Sequence, residues 1–215
     1  MPHMKIKEKV KSTYNAISAE FSSTRAGLWT EFDSFLPYYK SDFKVLDLGC
    51  GNGRLLDFLG KHGYSSYLGV DFSEKLIEEA RKLHPKEKFV VADMAKPPLT
   101  GAQKFDAIFA IASFHHLPPS EQVAALGEWK KLLKPGGYLF MTNWNLFQLK
   151  FWKSWLRAFL WPRYGFFGLQ IPWQNKVKRY YYAFTARRLC QHLLTTEFSV
   201  ILCEKNRNIV IVART

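Results

Sequence analysis

Three glycines near the start of the chain have a spacing that indicates ligand binding. The run Val45–Gly53 (VLDLGCGNG) reads as a short buried strand that enters a turn with glycines at 49, 51 and 53. Because glycine adopts positive φ and has no side chain, such a turn lets the backbone pass close beneath a bound nucleoside. Position 54 is Arg54, so the spacing is GxGxG and not the G-x-G-x-x-G of dinucleotide sites. The alternative interpretation is a glycine-rich turn without a ligand.

An acidic residue follows or ends each of the first three predicted strands. Asp47 lies just before the glycine turn and is placed to face a cationic group. Asp71 lies 18 residues beyond Gly53, where a carboxylate accepts from both hydroxyls of a ribose, and Phe72 would flank the base. Asp93 is placed to accept from an exocyclic amino group and so to select adenine. Any one of these acids could be an ordinary turn residue, but three at successive strand ends indicate a ligand site.

The predicted strands and helices that would hold these residues alternate along the chain. Apolar runs predict strands at Lys44–Leu48, Tyr67–Val70, Lys88–Ala92, Phe105–Ala110 and Tyr138–Thr142, with helices between them. This alternation specifies a Rossmann-like, doubly wound α/β sheet with right-handed crossovers, in which the three acids share the ligand-binding edge. Two β-rich runs around the polar turn Glu204–Asn208 predict a terminal hairpin.

Length and composition predict a single domain over residues 1–215. The chain is 47% hydrophobic, enough for one sizeable core. Apolar residues at helical spacing predict a helical cap within residues 1–40, and residues 144–184 form an insertion after the fifth strand. Three widely spaced cysteines predict neither a disulfide framework nor a zinc site, and we expect no metal. The chain shows neither a signal peptide nor an apolar run long enough for a membrane span, so we expect a cytoplasmic protein.

Positive charge is concentrated in the C-terminal part of the chain. Residues 1–128 contain 16 Lys and Arg against 16 Asp and Glu, whereas residues 129–215 contain 15 against 2, so the net charge of +13 belongs to the second part. Residues 144–184 contain 15 aromatic side chains among these cations. Aromatic faces interleaved with cations are typical of surfaces that bind unstacked bases and phosphates, which favours an RNA partner.

The ordered motifs VLDLGCGNG, GVD, FVVADM, FDAIFAIASFHHL and LKPGGYLFMT resemble the class I S-adenosylmethionine-dependent methyltransferases. The resemblance implies a seven-stranded sheet of order 3-2-1-4-5-7-6 in which strand 7 is antiparallel. It implies S-adenosylmethionine as methyl donor and S-adenosylhomocysteine as product. The donor site that it implies is formed by Gly49, Gly51, Gly53, Asp71, Phe72, Asp93, Met94 and the backbone near Ala112. Asp47 and Cys50 of the same turn are further candidates for binding the cofactor. The N-terminal helix with Tyr14 and Arg25 would close over the donor and exclude water, or it would simply pack against the sheet.

A narrower resemblance lies outside this core. The segments YNAISAEFSSTRAGLW, FAIASFHHL, TNWNLFQ, IPWQ and RYYYAF are similar to segments of the tRNA wobble-uridine methyltransferases that esterify carboxymethyluridine. This resemblance implies a tRNA substrate. It also implies a small zinc-binding activator protein as a partner, as for eukaryotic members of that family.

The candidate catalytic residues follow from the chemistry of methyl transfer, which is an in-line displacement that depends on alignment and exclusion of water. An ionised carboxylate acceptor needs no base, and Arg25 and Arg179 could grip it in bidentate fashion. A hydroxyl acceptor would instead need His115 or His116 as base. Alternatively, one of these histidines is hydrogen-bonded where the fourth strand ends and the other is solvated. Trp144 could stack a flipped-out base or serve as a core or lid aromatic.

A second interpretation of the insertion is membrane contact. In FQLKFWKSWLRAFLW the cations Lys150, Lys153 and Arg157 share one helical stripe, while aromatic and aliphatic side chains cover the rest. This pattern is typical of an interfacial helix, and would suit an O-methyltransferase acting on a small hydrophobic or lipid-like acid at a membrane surface. An exposed apolar surface would also suit docking of the activator protein.

Overall fold

The computed structural model describes residues 2–24, 30–99, 102–174 and 176–215, with side chains from residue 5 onward. The strands are β1 (Lys44–Leu48), β2 (Ser66–Asp71), β3 (Lys88–Val91), β4 (Phe105–Ile111), β5 (Leu133–Trp144), β6 (Gly168–Trp173), β7 (Val177–Tyr182), β8 (Ser199–Lys205) and β9 (Asn208–Arg214). The α-helices are α1 (Pro2–Ser23), α2 (Leu55–His62), α3 (Glu74–Leu83), α4 (Pro119–Leu132), α5 (Trp152–Leu160) and α6 (Ala186–Thr195). Short 3₁₀ helices occupy Thr30–Tyr38, Phe114–His116 and Leu149–Phe151.

The main sheet has the predicted topology. Its order is β3-β2-β1-β4-β5-β9-β8, in which β1 to β5 are parallel and β9 runs antiparallel to both β5 and β8. Since β8 and β9 are the sixth and seventh strands of this sheet, the expected order 3-2-1-4-5-7-6 is confirmed. The carboxyl ends of β1, β2 and β3 therefore meet at one edge, as the placement of the acids predicts.

Apolar side chains cover both faces of the sheet. On one face Leu46 and Ile108 pack with Trp129 of α4 and Leu189 of α6. On the other face Val45, Phe109 and Phe140 pack with residues of α2, α3 and the Thr30–Tyr38 helix. Each of these side chains is buried, which contributes roughly 1.5–3 kcal/mol per large residue. The strands read as nearly continuous apolar runs because helices cover both faces.

The N-terminal helix α1 lies across α3. Ser73 caps α3 by accepting from the Leu76 amide at 3.2 Å, and its hydroxyl donates to the side-chain oxygen of Asn15 on α1 at 2.6 Å. Lys11 of α1 pairs with Glu74 in the first turn of α3. This docking holds α1 over the carboxyl ends of the strands. Residues 25–29, which follow this helix in the sequence and include the candidate Arg25, lie outside the described part of the chain.

The insertion after β5 contains more regular structure than its composition indicates. It folds into α5 and an antiparallel β6–β7 hairpin, around a small core of its own that includes Leu146, Leu169 and Tyr181. The hairpin was not predicted because aromatic residues on both faces hide the period of two that marks a strand. In the described residues, no helix combines the length and the apolar content that crossing a membrane would require.

Candidate functional site

A cleft lies at the carboxyl ends of β1, β2, β3 and β4, beneath α1. Most of the predicted site residues line it: Tyr14, Asp47, Gly49, Cys50, Gly51, Asp71, Phe72, Asp93, Met94, Ala112, His116, Trp144 and Arg179. Gly53 and His115 do not line it, and Arg25 lies outside the described residues. We call the part formed by Asp47, Gly49, Gly51, Asp71 and Asp93 the glycine wall. The part formed by His116, Trp144, Arg179 and Tyr181 is the aromatic wall.

The glycine turn needs glycine for two different reasons. Gly51 has φ +57°, and a Cβ placed on it would meet nothing within 4 Å, so its missing side chain leaves open cleft beside the backbone. Gly49 has φ +77°, and a Cβ there would lie 2.3 Å from the Cβ of Ser113. Gly53 instead packs against His84 and Phe89. Gly53 is therefore a position where the packing of the turn requires glycine, and its cofactor role stays a prediction. Gly51 leaves space beside the backbone where a ligand could approach.

Asp71 is held in place by backbone amides. One carboxylate oxygen accepts from the Gly51 amide at 2.9 Å and the other from the Ser73 amide at 2.8 Å. Burial raises the pKa of Asp71, and these amide hydrogen bonds partly oppose that shift. Since each oxygen retains a further lone pair, the carboxylate is oriented and still able to accept from a ligand hydroxyl.

Asp47 is the most deeply buried acid of the glycine wall. The Tyr67 hydroxyl donates to its carboxylate at 2.9 Å. Burial raises the pKa of Asp47 to about 7, the Tyr67 hydrogen bond lowers it, and the charge of Asp71 raises it. A cation bound in the cleft would favour the ionised form of this carboxyl. Asp47 lines the cleft, and the cationic group that it would face stays a prediction.

Asp93 is bound from two sides. One oxygen accepts from the Ala95 amide at 2.9 Å, and the other pairs with Lys7 of α1, which also pairs with Glu121. Burial acts to lower the pKa of Lys7, but the hydrogen bonds and charges of its two partners leave it raised. Sequence analysis missed Lys7, because it lies 86 residues from Asp93 and stands in an unremarkable basic segment.

His116 of the aromatic wall has both ring nitrogens occupied. Its Nδ1 lies 2.7 Å from the Tyr180 carbonyl oxygen, which can only accept, so Nδ1 carries the proton. Nε2 then accepts from the Tyr14 hydroxyl at 2.8 Å. Burial and the charge of Arg179 together lower the pKa of His116 to about 3, although the hydrogen bond to the Tyr180 carbonyl acts to raise it. The imidazole is neutral, and its one basic lone pair already accepts the hydrogen bond from the Tyr14 hydroxyl.

His115 lies behind the cleft. Its Nδ1 accepts from the Trp144 amide at 3.4 Å, and its buried Nε2 has no hydrogen-bond partner within the described part of the chain. Burial lowers the pKa of His115 well below its usual range, and the charges of His116 and Arg179 add to this. His115 therefore supports the aromatic wall from behind, and it is not positioned to accept a proton from a ligand in the cleft.

Arg179 is a buried cation that no described acidic side chain pairs with. It is 4% exposed, and its Nε has no hydrogen-bond partner among the described residues. Its guanidinium lies 5.3 Å from the ring centres of both Trp144 and Tyr181, which stack on each other at 5.0 Å. Among the described acidic side chains, none forms an ion pair with Arg179. Because burying a charge is costly unless it is paired, this arrangement is suited to a ligand that brings a negative charge.

Comparison with known proteins places this cleft in a recognised domain. The family described as "Methyltransferase domain" matches residues 45–137, which contain the glycine wall. The tRNA (carboxymethyluridine(34)-5-O)-methyltransferase of Arabidopsis thaliana is 34% identical over 140 residues, or 64% of this chain and 33% of that protein. The protein of the same name from Saccharomyces cerevisiae is 33% identical over 145 residues, or 67% of this chain and 50% of that protein. The chain thus spans one third of the length of the Arabidopsis thaliana relative and half of the length of the Saccharomyces cerevisiae relative.

Solved structures share the fold over a larger part of the chain. A SAM-dependent methyltransferase from Methanosarcina mazei superposes with a TM-score of 0.74 at 21% identity, covering 88% of this chain and 99% of that one. A methyltransferase from Haloferax volcanii, solved in complex with the Trm112 methyltransferase activator, gives a TM-score of 0.71 at 15% identity and covers 95% and 96% of the two chains. The likeness establishes a shared fold.

Proposed function

Since the chain carries a class I S-adenosylmethionine-dependent methyltransferase domain, we propose that it transfers a methyl group to a carboxylate of a modified uridine at the tRNA wobble position. The observation that carries this proposal is Arg179, a buried guanidinium in the aromatic wall that no described acidic side chain neutralises. The product would be a methyl ester.

The glycine wall fits S-adenosylmethionine by its donor set and its space. Open cleft at the missing Cβ of Gly51 leaves room for a nucleoside, and the oriented carboxylate of Asp71 can accept from ribose hydroxyls. Asp47 would hold the cationic amino-acid part, and Asp93 with Met94 would lie at the base. Bound there, S-adenosylmethionine supplies an electrophilic methyl group on a sulfonium.

The aromatic wall favours a carboxylate acceptor over a hydroxyl. A hydroxyl must lose its proton to a base, but the basic lone pair of His116 is occupied by Tyr14, and His115 lies behind the cleft. A carboxylate is already ionised at neutral pH and needs only to be held and shielded from water. Arg179 can hold it through two parallel hydrogen bonds, and Trp144 and Tyr181 fix the guanidinium plane.

The uridine and the tRNA are supported by the surroundings of this wall. Trp144 offers an aromatic face at the cleft on which a base can stack, and all of the chain's net positive charge lies in residues 129–215. The names of the two curated relatives specify carboxymethyluridine at position 34, whose carboxylate has the charge that Arg179 requires. The complex of the Haloferax volcanii methyltransferase further supports a small activator protein as a partner of this chain.

The test is transfer of labelled methyl groups to RNA from the host organism. After incubation with the protein, RNA is digested to nucleosides, and one portion is first treated with mild alkali. We expect label on a modified uridine that alkali releases as methanol, because a methyl ester hydrolyses whereas a methyl group on carbon, nitrogen or an ether oxygen stays. Label that resists alkali would contradict the carboxylate acceptor. Label found only in an organic extract would show that the methyl acceptor is a small hydrophobic acid and not RNA.

A matched pair of variants connects this result to the cleft. Arg179→Lys keeps the charge but loses the planar two-pronged donor, so we expect transfer to fall while S-adenosylmethionine affinity stays unchanged. Arg187→Lys makes the same exchange at an exposed position on α6 and should leave both unchanged. An equal loss in both variants would mean that Arg179 acts only through overall RNA affinity. Assays are run with and without the candidate activator protein, since a dependence on it would otherwise resemble inactivity.

A further inference from the structure

Helix α5 turns its apolar stripe outward. Trp152, Leu156, Phe159 and Leu160 stand at spacings of four, three and one, which places them on one helical face. They are between 48% and 68% exposed. The opposite face, with Ser154 and Ala158, is buried against the small core of the insertion. An ordinary surface helix buries its apolar stripe, and α5 does the reverse.

Neighbouring residues enlarge this stripe. Leu149 is 90% exposed, Trp161 is 69% exposed and Phe166 is 51% exposed. Of the thirteen exposed large hydrophobic side chains in the described residues, eight lie between Phe147 and Phe166, so the exposure is local to this segment. We call these eight residues the apolar face. Clustered exposed apolar side chains of this kind mark a surface that contacts another phase or molecule.

Cations stand beside the apolar face. Lys150, Lys153, Arg157 and Arg163 are exposed, and none of them forms an ion pair with a described acidic residue. No Asp or Glu occurs anywhere from residue 129 to 196. The Lys153 ammonium lies 5.6 Å from the Trp152 ring centre, so a cation and an interfacial aromatic share one site. The surface is therefore apolar and positive at once.

We propose that the apolar face docks this protein onto an anionic lipid surface, with α5 lying in the plane of the interface. A nine-residue helix is only about 14 Å long, too short to cross a bilayer but long enough to bury one face at its boundary. Leucine, tryptophan and phenylalanine would enter the acyl boundary, while the lysines and arginines would meet the phosphate groups. This docking is separate from the methyl-transfer chemistry proposed above.

Two other occupants fit the surface less well. A second copy of the chain would bring Lys150, Lys153 and Arg157 against the same cations, with no acid in that segment to pair them. RNA would satisfy the cations, but Leu149, Leu156 and Leu160 have no aromatic face for a base to stack on. Anionic lipid satisfies both the charge and the aliphatic side chains.

The test is sedimentation with vesicles of phosphatidylcholine alone and of phosphatidylcholine mixed with phosphatidylglycerol. The variant Trp152→Gln/Leu156→Gln/Phe159→Gln removes the stripe. The control Leu83→Gln/Leu194→Gln/Ile201→Gln removes exposed apolar side chains elsewhere, at 55%, 62% and 41% exposure. We expect the wild type to bind the mixed vesicles selectively, the stripe variant to bind more than about tenfold more weakly, and the control to bind as the wild type.

Several results would overturn the proposal. The proposal is wrong if the wild type does not bind the mixed vesicles or binds neutral vesicles equally well. It is also wrong if binding weakens as much in the control variant as in the stripe variant. A stripe variant that loses RNA binding or self-association but keeps its lipid binding would assign the face to another occupant. S-adenosylmethionine affinity, measured on each variant, reports whether the fold is intact and keeps this test separate from that of the methyltransferase function.

Discussion

The glycine wall and the aromatic wall of the cleft differ in how their polar groups are satisfied. In the glycine wall, Asp47, Asp71 and Asp93 each accept a hydrogen bond from the protein. In the aromatic wall, Arg179 buries its Nε nitrogen, which has no hydrogen-bond partner among the described residues. Buried polar atoms without partners are rare because each costs free energy. The first wall is complete by itself, whereas the second becomes complete only with a ligand.

This difference follows from what each wall has to bind in the proposed reaction. A cofactor that every turnover uses is best met by a site that is already oriented, because little reorganisation is then needed. A substrate carboxylate is recognised most selectively by a cation that nothing else neutralises, since other ligands leave it unpaired.

The largest effect is expected for Gly51→Val. This change places a side chain in open cleft at a position with φ +57°, so we expect S-adenosylmethionine affinity by calorimetry to fall more than about a thousandfold. Gly165→Val is the matched control, because Gly165 has φ +74° and open space but lies away from the cleft. The control should lose only about 1–2 kcal/mol of stability. Equal affinity losses in the two variants would show that backbone strain alone is responsible.

The second prediction concerns Arg179→Met. We expect the rate of methyl transfer to fall by about a hundredfold, since the acceptor loses its charge-assisted hydrogen bonds. We also expect the melting temperature to stay equal or to rise, because a buried cation without an anion is replaced by an apolar chain of similar size. Calorimetry and single-turnover rates measure the two quantities. A marked drop in melting temperature would mean that Arg179 is already neutralised in the ligand-free protein.

The third prediction uses the pKa of Asp47, which burial raises from 3.8 to about 7. The folded state binds this proton more tightly than the unfolded state, so the stabilisation is complete below pH 3.8 and is lost as the pH rises to about 7. The free energy of unfolding of the wild type relative to Asp47→Asn should fall across this window by up to about 1.4 kcal/mol per pH unit. Urea titrations of both proteins measure it. If the difference in the free energy of unfolding between the two proteins does not change with pH across this window, Asp47 is ionised in the folded protein and the prediction is wrong.

The smallest effect is expected for Tyr14→Phe. It removes the hydroxyl that donates to His116 Nε2, which should cost about 1 kcal/mol of stability and less than about tenfold in transfer rate. Because no base is required, the rate should not acquire a histidine-like dependence on pH. The pH profile of single-turnover transfer tests this for both proteins. A strong loss of rate at low pH that appears only in Tyr14→Phe would assign His116 a role as base.

Much of the glycine wall was predictable because it is local. Gly49, Gly51, Asp71 and Asp93 each lie at or just after the end of a strand, and the alternation of strands with helices fixes which edge they share. Gly53 shows the limit of this reasoning. Its spacing indicates a residue that binds the cofactor, but in the structure it packs against His84 and Phe89. A sequence pattern indicates that a side chain must be absent, but not which neighbour requires it.

The aromatic wall was decided by the tertiary structure. Tyr14 meets His116 across 102 residues of chain, and the Tyr180 carbonyl that sets the tautomer of His116 lies 64 residues from it. The β6–β7 hairpin carries Arg179 and Tyr181 to Trp144, and the pattern of the sequence predicted no hairpin there. The amino-acid pattern was enough to predict the sheet, the glycine turn and the set of available cations and aromatics. Whether a given arginine is buried without an anion depends on every chain segment packed around it, and only the folded structure brings those segments together.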